Sequence, residues 1–396
     1  MMKLIYSIIF FGKEPSGVQK KILSQVINLN KLGLSAVIYS LTGTDDDTSP
    51  LPLVKKSIIP NLKYHKPKSF LAKIRRIKIR DCALNSIIEM LNADEILYTR
   101  IPSPSRLTSN LLKKERRCKI VIEYQTIEPI EARLNREYSS LVFNFLYGDN
   151  IRKYTDGIVG VTEEITRYQL HRSGDSEKPH ITIGNGINID SVPLRRHVPY
   201  SGEDLHLLCV ANISRWHGLD RLIRGLGTCL GPTRVTLHIA GDGSETASLK
   251  KIINQLDISD QVIFHGLTIG KDLDELFNTC HIAIGSLGMH RKGLTQTSEL
   301  KAREYCARGI PYIISCADPD FPDDFPYIQR FLSDESPIAI EKIIQFANTV
   351  YNDLEHPQKM RAYAVEHLDW AVKMKVLKTF LETLTDEKKI TLEKRV

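Results

Sequence analysis

The sequence predicts an α/β protein of two domains, each built around a doubly wound parallel sheet. Short apolar runs alternate with longer amphipathic stretches, which is the pattern of repeated strand–helix units. The 396 residues are enough for two such domains. A segment interrupted by proline and glycine, residues 188–204, lies between one run of repeats and the next. We therefore expect two sheets with helices packed on their faces.

The first run opens with a strand, a helix and a second strand. Leu4–Phe11 is an apolar run of strand length, and Val18–Leu32 carries apolar residues at helical spacing. Gly33 ends that helix, and Ala36–Tyr39 returns as a strand. Parallel strands joined in this way require a right-handed crossover. Further strands are predicted at Glu95–Tyr98, Ile120–Glu123 and Gly157–Val161.

The second run begins after residue 200 and again alternates strands with helices. Its predicted strands are Leu205–Val210, Val235–Ile239, Val262–Phe264, Ile282–Ile284 and Pro311–Ser315. We place the first domain at residues 1–190 and the second at 200–370. Near the end of the chain, Glu366–Leu384 predicts one amphipathic helix.

The composition excludes several classes of protein. Hydrophobic residues make up 42% of the chain and charged residues 26%, which is typical of globular domains. No apolar stretch approaches the ~20 residues that span a bilayer. The seven cysteines are scattered and include no CxxC pair, which argues against a zinc or redox site. This usage is typical of reduced thiols, so we expect a cytoplasmic protein.

Positive charge is concentrated between Lys63 and Arg80. This segment has eight Lys and Arg and no acidic residue, which exceeds the net charge of +7 of the whole chain. Apolar residues are interleaved with the basic ones, as at the surface of an anionic membrane. We expect residues 63–80 to hold the protein peripherally on the inner face of the cell membrane. The alternative is a solvated basic helix face. Nucleic acid is not an expected partner, because no helix-turn-helix or aromatic-rich pattern accompanies the segment.

Glycine and polar residues follow the predicted strands, where open parallel sheets bind their ligands. The first strand runs into GKEPSG, which ends at Gly17. In the second domain, four successive strands run into ANISRWHGLDRLI, AGDGSE, HGLTIG and GSLGMHRKGL. Cationic residues in and after these loops can supply positive charge for a diphosphate: Arg215, His217, Arg291, Lys292 and Lys301. Glu304 can accept hydrogen bonds from a ribose diol, or it can pair with Lys301 or Arg308 on its own helix.

These segments resemble a known family, the retaining GT-B glycosyltransferases of the family-4 type that act in bacterial polysaccharide and lipopolysaccharide assembly. AGDGSE and VIFHG resemble its GDG and F-x-G strand ends. REYCARGIP resembles its E-A-M-A-x-G-x-P element, which places Glu304 at the second glutamate of the E-x7-E motif. EPSGVQKKILSQVINLNKLG, DGIVGVTEE and ITIGNGINID resemble its first loop and helix, a strand and turn, and the link between its domains. The resemblance covers most of the chain and is most specific over residues 205–315.

The resemblance implies an architecture and an activity. It implies two Rossmann-like domains that face each other across a cleft, with the acceptor on the N-terminal side and the sugar nucleotide on the C-terminal side. It also implies a C-terminal helix, residues 371–396, that packs back on the first domain. The implied enzyme moves a hexosyl or other glycosyl group, with retention, from a nucleotide-diphosphate sugar to a glycan or a lipid-linked glycan in cell-surface polysaccharide (capsule or lipopolysaccharide) biosynthesis. No metal or other cofactor is expected.

The resemblance also implies a set of site residues. The residues expected to stabilise the leaving diphosphate are His217, Arg215, Arg291 and Lys292. Those expected to bind the donor are Gly17, Asn212, Gly241, Gly243, Gly266, Gln296, Ser298, Lys301 and Glu304. On the acceptor side we expect Arg100, Thr126 and Glu128, for which the alternative is a structural ion pair or cap. The chain departs from the family pattern at Asn212, His217 and Gln296, and we expect Arg215, Arg291 and Lys292 to replace the missing cations.

Other functions are compatible with this sequence. A sugar-nucleotide 2-epimerase would share the two-domain architecture, although Gln296 removes a carboxylate that such chemistry would use. A non-catalytic GT-B subunit that binds a partner transferase or a glycan would explain the departures, but not the intact GDG, HG and Glu304 elements. The acidic loops at 45–47 and 318–324 resemble the metal-binding DxD of another transferase architecture, yet both read as turns.

Overall fold

The computed structural model describes residues 3–9, 17–42, 53–58, 70–100 and 104–385. The chain forms two compact units. Unit 1 comprises the described residues up to Gly184 together with those from Trp370 onward, and unit 2 is Asn185–Asp369. The division falls just before the predicted linker at 188–204, so that segment belongs to unit 2.

Unit 1 is built on a seven-stranded parallel sheet. Its strands are β1 Lys3–Ile9, β2 Ser35–Thr42, β3 Val54–Ile58, β4 Glu95–Arg100, β5 Lys119–Tyr124, β6 Gly157–Gly160 and β7 His180–Thr182. The strand order is β3-β2-β1-β4-β5-β6-β7. The chain therefore extends the sheet on one side of β1 and then returns to pair β4 on the other side. Loops diverge at such a switch point and leave a crevice beyond the strand ends.

Helices connect the strands of unit 1. They are α1 Gly17–Lys31, α2 Phe70–Met90, α3 Arg106–Lys113, α4 Glu128–Leu134, α5 Tyr138–Phe143, α6 Asp149–Tyr154 and α7 Glu163–Ser173, with a π-helical turn at Asn144–Gly148 between α5 and α6. Helix α1 buries Ile22, Val26 and Leu29, which recur every three or four residues along one face. This periodicity is the signal that predicted the helix.

Unit 2 repeats the plan with six parallel strands. They are β8 Asp204–Val210, β9 Arg234–Ala240, β10 Val262–Gly266, β11 Ile282–Ile284, β12 Tyr312–Ile314 and β13 Ile328–Arg330, in the order β10-β9-β8-β11-β12-β13. The switch point lies between β8 and β11. The helices of this unit are α8 Leu219–Leu226, α9 Thr246–Gln255, α10 Gly270–Phe277, α11 Leu300–Arg308, α12 Ile340–Val350 and α13 His356–Tyr363.

The last helix of the chain corrects one expectation. The predicted helix Glu366–Leu384 is divided, because a π-helical turn at Ala364–Leu368 ends before an extended Asp369, and α14 then spans Trp370–Thr385. The Ile187 amide donates to the Leu368 carbonyl at 2.8 Å, which fixes the chain there within unit 2. Helix α14 belongs to unit 1 and packs on α1, where Lys378 Nζ donates to the Leu32 carbonyl at 2.8 Å.

The prediction of two doubly wound parallel sheets is confirmed. Each predicted strand has a counterpart, although residues 10 and 11 of the first one lie outside the described residues. Strands β3, β7 and β13 were not predicted. They read VKKSI, HIT and IQR, so they offer the short, polar sequences of sheet edges rather than the continuous apolar runs of buried parallel strands.

Candidate functional site

Three nitrogen-bearing side chains gather at the switch point of unit 2. We call them the basic cluster: His217, in a 3-10 turn after β8; Lys292, in a 3-10 turn after β11; and Lys301, in the first turn of α11. The segment just before the second turn is bonded to the first turn, because the Leu287 amide donates to the His217 carbonyl at 3.0 Å. The cluster thus lies where open α/β sheets bind ligands.

His217 is a neutral hydrogen-bond donor. Its Nδ1 accepts the backbone N–H of Ser214 at 3.0 Å, which leaves the ring proton on Nε2. Burial, and next the charge of Lys301, lower the pKa of His217 well below its ordinary value. This corrects the expectation that His217 supplies a positive charge. It can instead donate one hydrogen bond from Nε2 to a negatively charged oxygen.

Lys292 is held against an aromatic ring. Its Nζ lies 4.6 Å from the centroid of the Trp216 ring, and the residue is buried. A cation over the face of an indole is attracted to the negative face of the ring, so Trp216 fixes the position of this charge. Sequence analysis assigned no role to Trp216, although Trp216 stands between two residues of the predicted site. Its position beside His217 was the available signal.

Lys301 has a buried ammonium group with few partners. Its side chain is 12% exposed, and Nζ has no hydrogen bond among the described residues. The nearest acidic oxygen is Glu299 Oε2 at 3.6 Å, which is itself buried without a hydrogen bond. A buried ammonium without hydrogen bonds is costly unless a ligand provides them. Sequence reasoning missed Glu299, which precedes α11 and offsets part of the charge.

Arg291 is already held by two carboxylates. Its guanidinium donates to both oxygens of Asp220 at 2.8 and 2.9 Å and to both oxygens of Glu335 at 2.5 and 2.9 Å. These bonds tie the turn after β11 to α8. The charge of Arg291 is therefore already paired with carboxylates, and its expected contact with a diphosphate stays a prediction. Arg215 differs, because its side chain is exposed, while its carbonyl accepts a further bond from Arg291 at 2.7 Å.

The expected ribose-binding helix is tied to its surroundings. Arg308 Nε donates to Glu304 Oε1 at 2.9 Å, which is the helix-surface pair that the sequence left open. The Ser298 hydroxyl accepts the Asn185 amide at 2.7 Å, so it anchors the start of unit 2. Gln296 forms an isolated parallel bridge with Ala317. Donor binding by Gln296, Ser298 and Glu304 therefore stays a prediction.

Glycines let two strand ends approach each other beside the cluster. A Cβ at Gly241 would lie 1.9 Å from the Ala211 carbonyl oxygen, and one at Gly243 would lie 2.1 Å from that of Ile213. The GDG sequence is therefore required for packing of this backbone. The Gly241 amide also donates to the Gly266 carbonyl at 2.6 Å. Asn212 is exposed at the end of β8, and in unit 1 Gly17 begins α1.

In unit 1 the strand ends near the switch point carry a buried ion pair. Lys21 of α1 binds Glu123 at the end of β5, and both side chains are almost fully buried. Glu123 also accepts from Tyr6 at 2.9 Å and from Gln125 at 2.5 Å. Burial alone would raise the pKa of Glu123, but the charges of Lys21 and then Arg100 hold it below its ordinary value. The carboxylate is therefore ionised and paired.

The expected acceptor residues have mixed surroundings. Glu128 binds Arg152 Nη2 at 2.6 Å and accepts from Gln169 at 3.2 Å, so the alternative of a structural ion pair holds for it. The Thr126 hydroxyl is buried and has no hydrogen bond among the described residues. Arg100 is half-buried at the end of β4, in register with Glu123. The acceptor role of Arg100 and Thr126 stays a prediction.

The remaining predicted sites lie in acidic loops and in a basic segment. Within the described part of the chain, no group of three His, Cys, Asp or Glu side chains is arranged to hold a metal ion. In the 318–324 loop, Asp318 and Asp320 both bind Arg303, and residues 45–47 lie outside the described residues. Residues 63–69 of the basic segment also lie outside them; the rest is in α2. None of the helices described is long and apolar enough to cross a membrane.

Comparison with known proteins identifies the class of both fold and enzyme. Residues 194–364, within unit 2, match the family described as Glycosyl transferases group 1. Sucrose-phosphate synthase from Thermosynechococcus elongatus has a similar structure, with a TM-score of 0.67 at 13% identity over 97% of this chain and 99% of that one. HepE from Anabaena, in complex with UDP and glucose, gives a TM-score of 0.61 at 14% identity over 97% and 100%. The lipopolysaccharide outer core galactosyltransferase WaaB gives 0.63 at 14% identity over 96% and 99%. No curated protein matches in sequence.

Unit 2 therefore contains a glycosyl transferases group 1 domain, and the chain has the GT-B fold of these structures. The predicted enzyme class, a glycosyltransferase, is confirmed at this level.

Proposed function

We propose that the protein is a retaining glycosyltransferase that moves a sugar from a nucleotide-diphosphate sugar to a glycan or lipid-linked glycan during cell-surface polysaccharide biosynthesis. The observation that carries this proposal is the basic cluster at the switch point of unit 2. It combines a buried ammonium that has no hydrogen bond among the described residues, a second lysine fixed over an indole ring, and a neutral histidine whose Nε2 carries a proton. A diphosphate supplies acceptor oxygens for the Lys301 ammonium, and Lys292 and His217 Nε2 can donate to the same group.

The cluster suits the departure of a nucleoside diphosphate. As the bond from the anomeric carbon to the diphosphate oxygen breaks, negative charge grows on that oxygen. Lys301 and Lys292 stabilise this charge, and His217 Nε2 donates a hydrogen bond to it. The N-terminus of α11, which begins at Leu300, adds its partial positive charge in the same region. In a retaining reaction the acceptor attacks on the departing face, and the leaving phosphate can take the acceptor proton. A dedicated base is then unnecessary.

Uridine diphosphate is the first nucleotide to test, because the similar HepE structure holds UDP and glucose. We assign the ribose to Glu304, whose Oε1 accepts a hydrogen bond from Arg308 and whose second oxygen could accept from a ribose hydroxyl. We assign the acceptor to unit 1, beside Arg100 and Thr126. A lipid-linked acceptor would place the enzyme peripherally on the inner face of the membrane, in line with the basic residues of α2.

A thermal-shift screen tests the proposal. The chain is melted with UDP-, GDP-, ADP-, CMP- and dTDP-sugars, each with and without EDTA. We expect one nucleotide to raise the melting temperature, because a ligand that binds only the folded state stabilises it. An EDTA-insensitive shift would support a metal-independent transferase.

The screen is followed by analysis of the products. Release of the nucleoside diphosphate together with transfer of the sugar supports the transferase. Conversion of the bound sugar to its 2-epimer would instead support a sugar-nucleotide 2-epimerase. The absence of any shift would favour a non-catalytic subunit whose donor site has been lost.

A further inference from the structure

The segment that leads into unit 2 is bonded to the residue just before α11. The Asn185 backbone amide donates to the Ser298 hydroxyl at 2.7 Å, and the Asn185 side-chain amide donates to the Ser298 carbonyl. Arg303 Nε in turn donates to the Asn185 carbonyl at 2.9 Å. All three residues are buried, and we call them the linker clamp. The sequence around Asn185, ITIGNGINID, had indicated only a link between domains.

The start of α11 depends on this clamp because it has no cap of its own. Residues 297–299 adopt no regular secondary structure. Among the described residues, the N-cap residue Glu299 makes no side-chain capping hydrogen bond. The first turn of a helix frays easily when no cap holds it. Here the preceding residue, Ser298, is held through both its carbonyl and its hydroxyl.

Arg303 extends the clamp to the next residue along the chain. Its Nη1 donates to the Glu299 carbonyl at 3.3 Å, and its Nη2 donates to Asp318 Oδ1 at 2.9 Å. The buried guanidinium also pairs with Asp320. A guanidinium bonded to two carboxylates has a well-defined position, because these charge-assisted bonds are directional. Asn185 and Glu299 are therefore both bonded to one fixed group.

The clamped segment leads directly to a residue of the basic cluster. Lys301 lies in the first turn of α11, and its buried ammonium has no hydrogen bond within the described part of the chain. A buried charge of this kind is unfavourable in the unliganded protein, so other bonds must keep it in place. The linker clamp supplies such bonds to the backbone just before Lys301.

The same linker is bonded to the end of unit 2. The chain enters this unit at Asn185 and leaves it at Asp369. Ile187 forms an isolated parallel bridge with Asp369, and its amide donates to the Leu368 carbonyl at 2.8 Å. The entry, the exit and the start of α11 are thus connected within a few residues of each other.

We propose that Asn185 is a positioning residue, which holds the start of α11 so that Lys301 meets the donor diphosphate. Donor binding at Lys301 in turn orders the linker at residues 185–187, because coupling between two parts of a protein is reciprocal. The inference rests on the proposed function in that the ligand is a nucleoside diphosphate group. Its first half, that Asn185 holds α11, applies to the unliganded chain as well.

Hydrogen exchange without ligand tests the clamp. Asn185→Ala removes the side-chain bond to the Ser298 carbonyl, so amide exchange over residues 297–303 should become at least about fivefold faster. Asn188 belongs to the same linker but is exposed, so Asn188→Ala is the matched control and should exchange like the parent chain. If Asn185→Ala does not fold, Ser298→Ala tests the same point, because it deletes only the hydroxyl that accepts the Asn185 amide.

Calorimetric titration with UDP tests the positioning role. Asn185→Ala and Ser298→Ala should each weaken binding by about 5- to 20-fold, and the double variant, which loses both bonds, should bind most weakly. Ser298→Thr keeps the hydroxyl and should retain most of the affinity. In the parent chain, UDP should slow amide exchange at residues 185–187, and in Asn185→Ala this protection should be lost. A residue that served folding alone would not transmit ligand binding in this way.

The outcomes separate this inference from the proposed function. Parental exchange at residues 297–303 in folded Asn185→Ala would overturn the inference. Faster exchange with unchanged affinity for UDP would also overturn it, because Asn185 would then support only the fold. A parent chain that binds none of the nucleotides in the thermal-shift screen would contradict the proposed function and, with it, the positioning role.

Discussion

The two units place charged residues at the same topological position but treat them differently. At the switch point of unit 1, Lys21 and Glu123 are buried against each other, and Glu123 has further hydrogen bonds. At the switch point of unit 2, the Lys301 ammonium is buried and has no hydrogen bond to any residue that the structure describes, and Glu299 lies 3.6 Å away. The same architecture thus holds one charge that is satisfied by the fold and one that is not. We propose that the first charge has a structural role and that the second binds a ligand.

Desolvation gives this comparison its physical basis. An ionic group loses the solvation of water when it is buried, and only close partners restore that loss. Removing one partner of the unit 1 pair leaves a buried charge uncompensated. Removing Lys301 takes away a buried charge whose desolvation lowers the folding stability of the unliganded protein. Replacing the buried lysine of unit 1 should therefore lower folding stability. Replacing the buried lysine of unit 2 should instead lower ligand affinity and leave folding stability unchanged or higher.

The largest expected effect is on the stability of unit 1. Lys21→Met should reduce the free energy of unfolding by about 3–5 kcal/mol, because Glu123 stays buried without its main charge partner. Urea unfolding followed by tryptophan fluorescence measures this, since Lys21 Nζ lies 5.7 Å from the Trp370 ring centroid. The neighbouring Lys20 is exposed, so Lys20→Met is the matched control and should change little. Equal effects of the two variants would remove the structural role of the pair.

The next effect is on donor binding by unit 2. Lys301→Met should weaken nucleotide-sugar binding by about 10- to 100-fold, because the diphosphate loses a charged donor. The free energy of unfolding should stay within about 1 kcal/mol of the parent value or rise. Calorimetric titration gives the affinity, and the exposed Lys251→Met serves as control. A variant that unfolds easily yet binds donor normally would place Lys301 with the structural charges of unit 1.

A smaller effect concerns acid sensitivity, which should be greater in unit 2. His206 Nδ1 lies 3.0 Å from His238 Nε2, and His238 Nδ1 lies 3.0 Å from His265 Nε2, across β8, β9 and β10. The His206 amide donates to His281 Nδ1 at 3.0 Å. Burial lowers the pKa of both His238 and His281 to about 4. The charged groups that act on this row are Asp204, Arg234 and Arg195.

These folded-state pKa values lie below the ordinary 6.5, so the unfolded chain binds more protons between pH 6.5 and 4. The stability that the neutral rings contribute is present above pH 6.5 and is lost as the pH falls towards 4. Trp216 and Trp370 lie in different units, so Trp370→Phe leaves a fluorescence reporter of unit 2 alone. His238→Gln should flatten the pH dependence, whereas the exposed His171→Gln in unit 1 should not. If the free energy of unfolding of His238→Gln depended on pH as it does in the parent chain, the row of histidines would not be the source of the acid sensitivity.

The smallest expected effect comes from a charge that is already paired in unit 2. Glu335→Gln leaves Arg291 its bonds to Asp220, so the free energy of unfolding should fall by no more than about 1 kcal/mol. Donor affinity should not change, because we assign Arg291 to the structure. Calorimetric titration with nucleotide sugar compares the donor affinity of this variant with that of Lys301→Met. A clear change in donor affinity would return Arg291 to the diphosphate site.

Local sequence was sufficient for the frame of both units. Buried parallel strands need continuous apolar runs and their helices need an apolar face, so the strand–helix alternation could be predicted from the sequence alone. The glycines of the GDG element were singled out by the family resemblance, and the structure supplies the reason: a side chain at Gly241 or Gly243 would collide with the neighbouring backbone. Edge strands such as β13, which reads IQR, escaped prediction because pairing in the sheet rather than composition defines them.

Only the tertiary structure decided which charges remain available, because their partners are distant in the chain. Arg291 looked free in the sequence, yet its carboxylates lie 71 and 44 residues away, at Asp220 and Glu335. His217 looked cationic, yet burial and Lys301 keep it neutral. Lys301 looked like one cation among several, yet its buried ammonium has no hydrogen bond within the described part of the chain. Residue type and spacing determine which groups can carry charge, whereas solvation and long-range pairing, which arise on folding, determine which of them are left to bind a ligand.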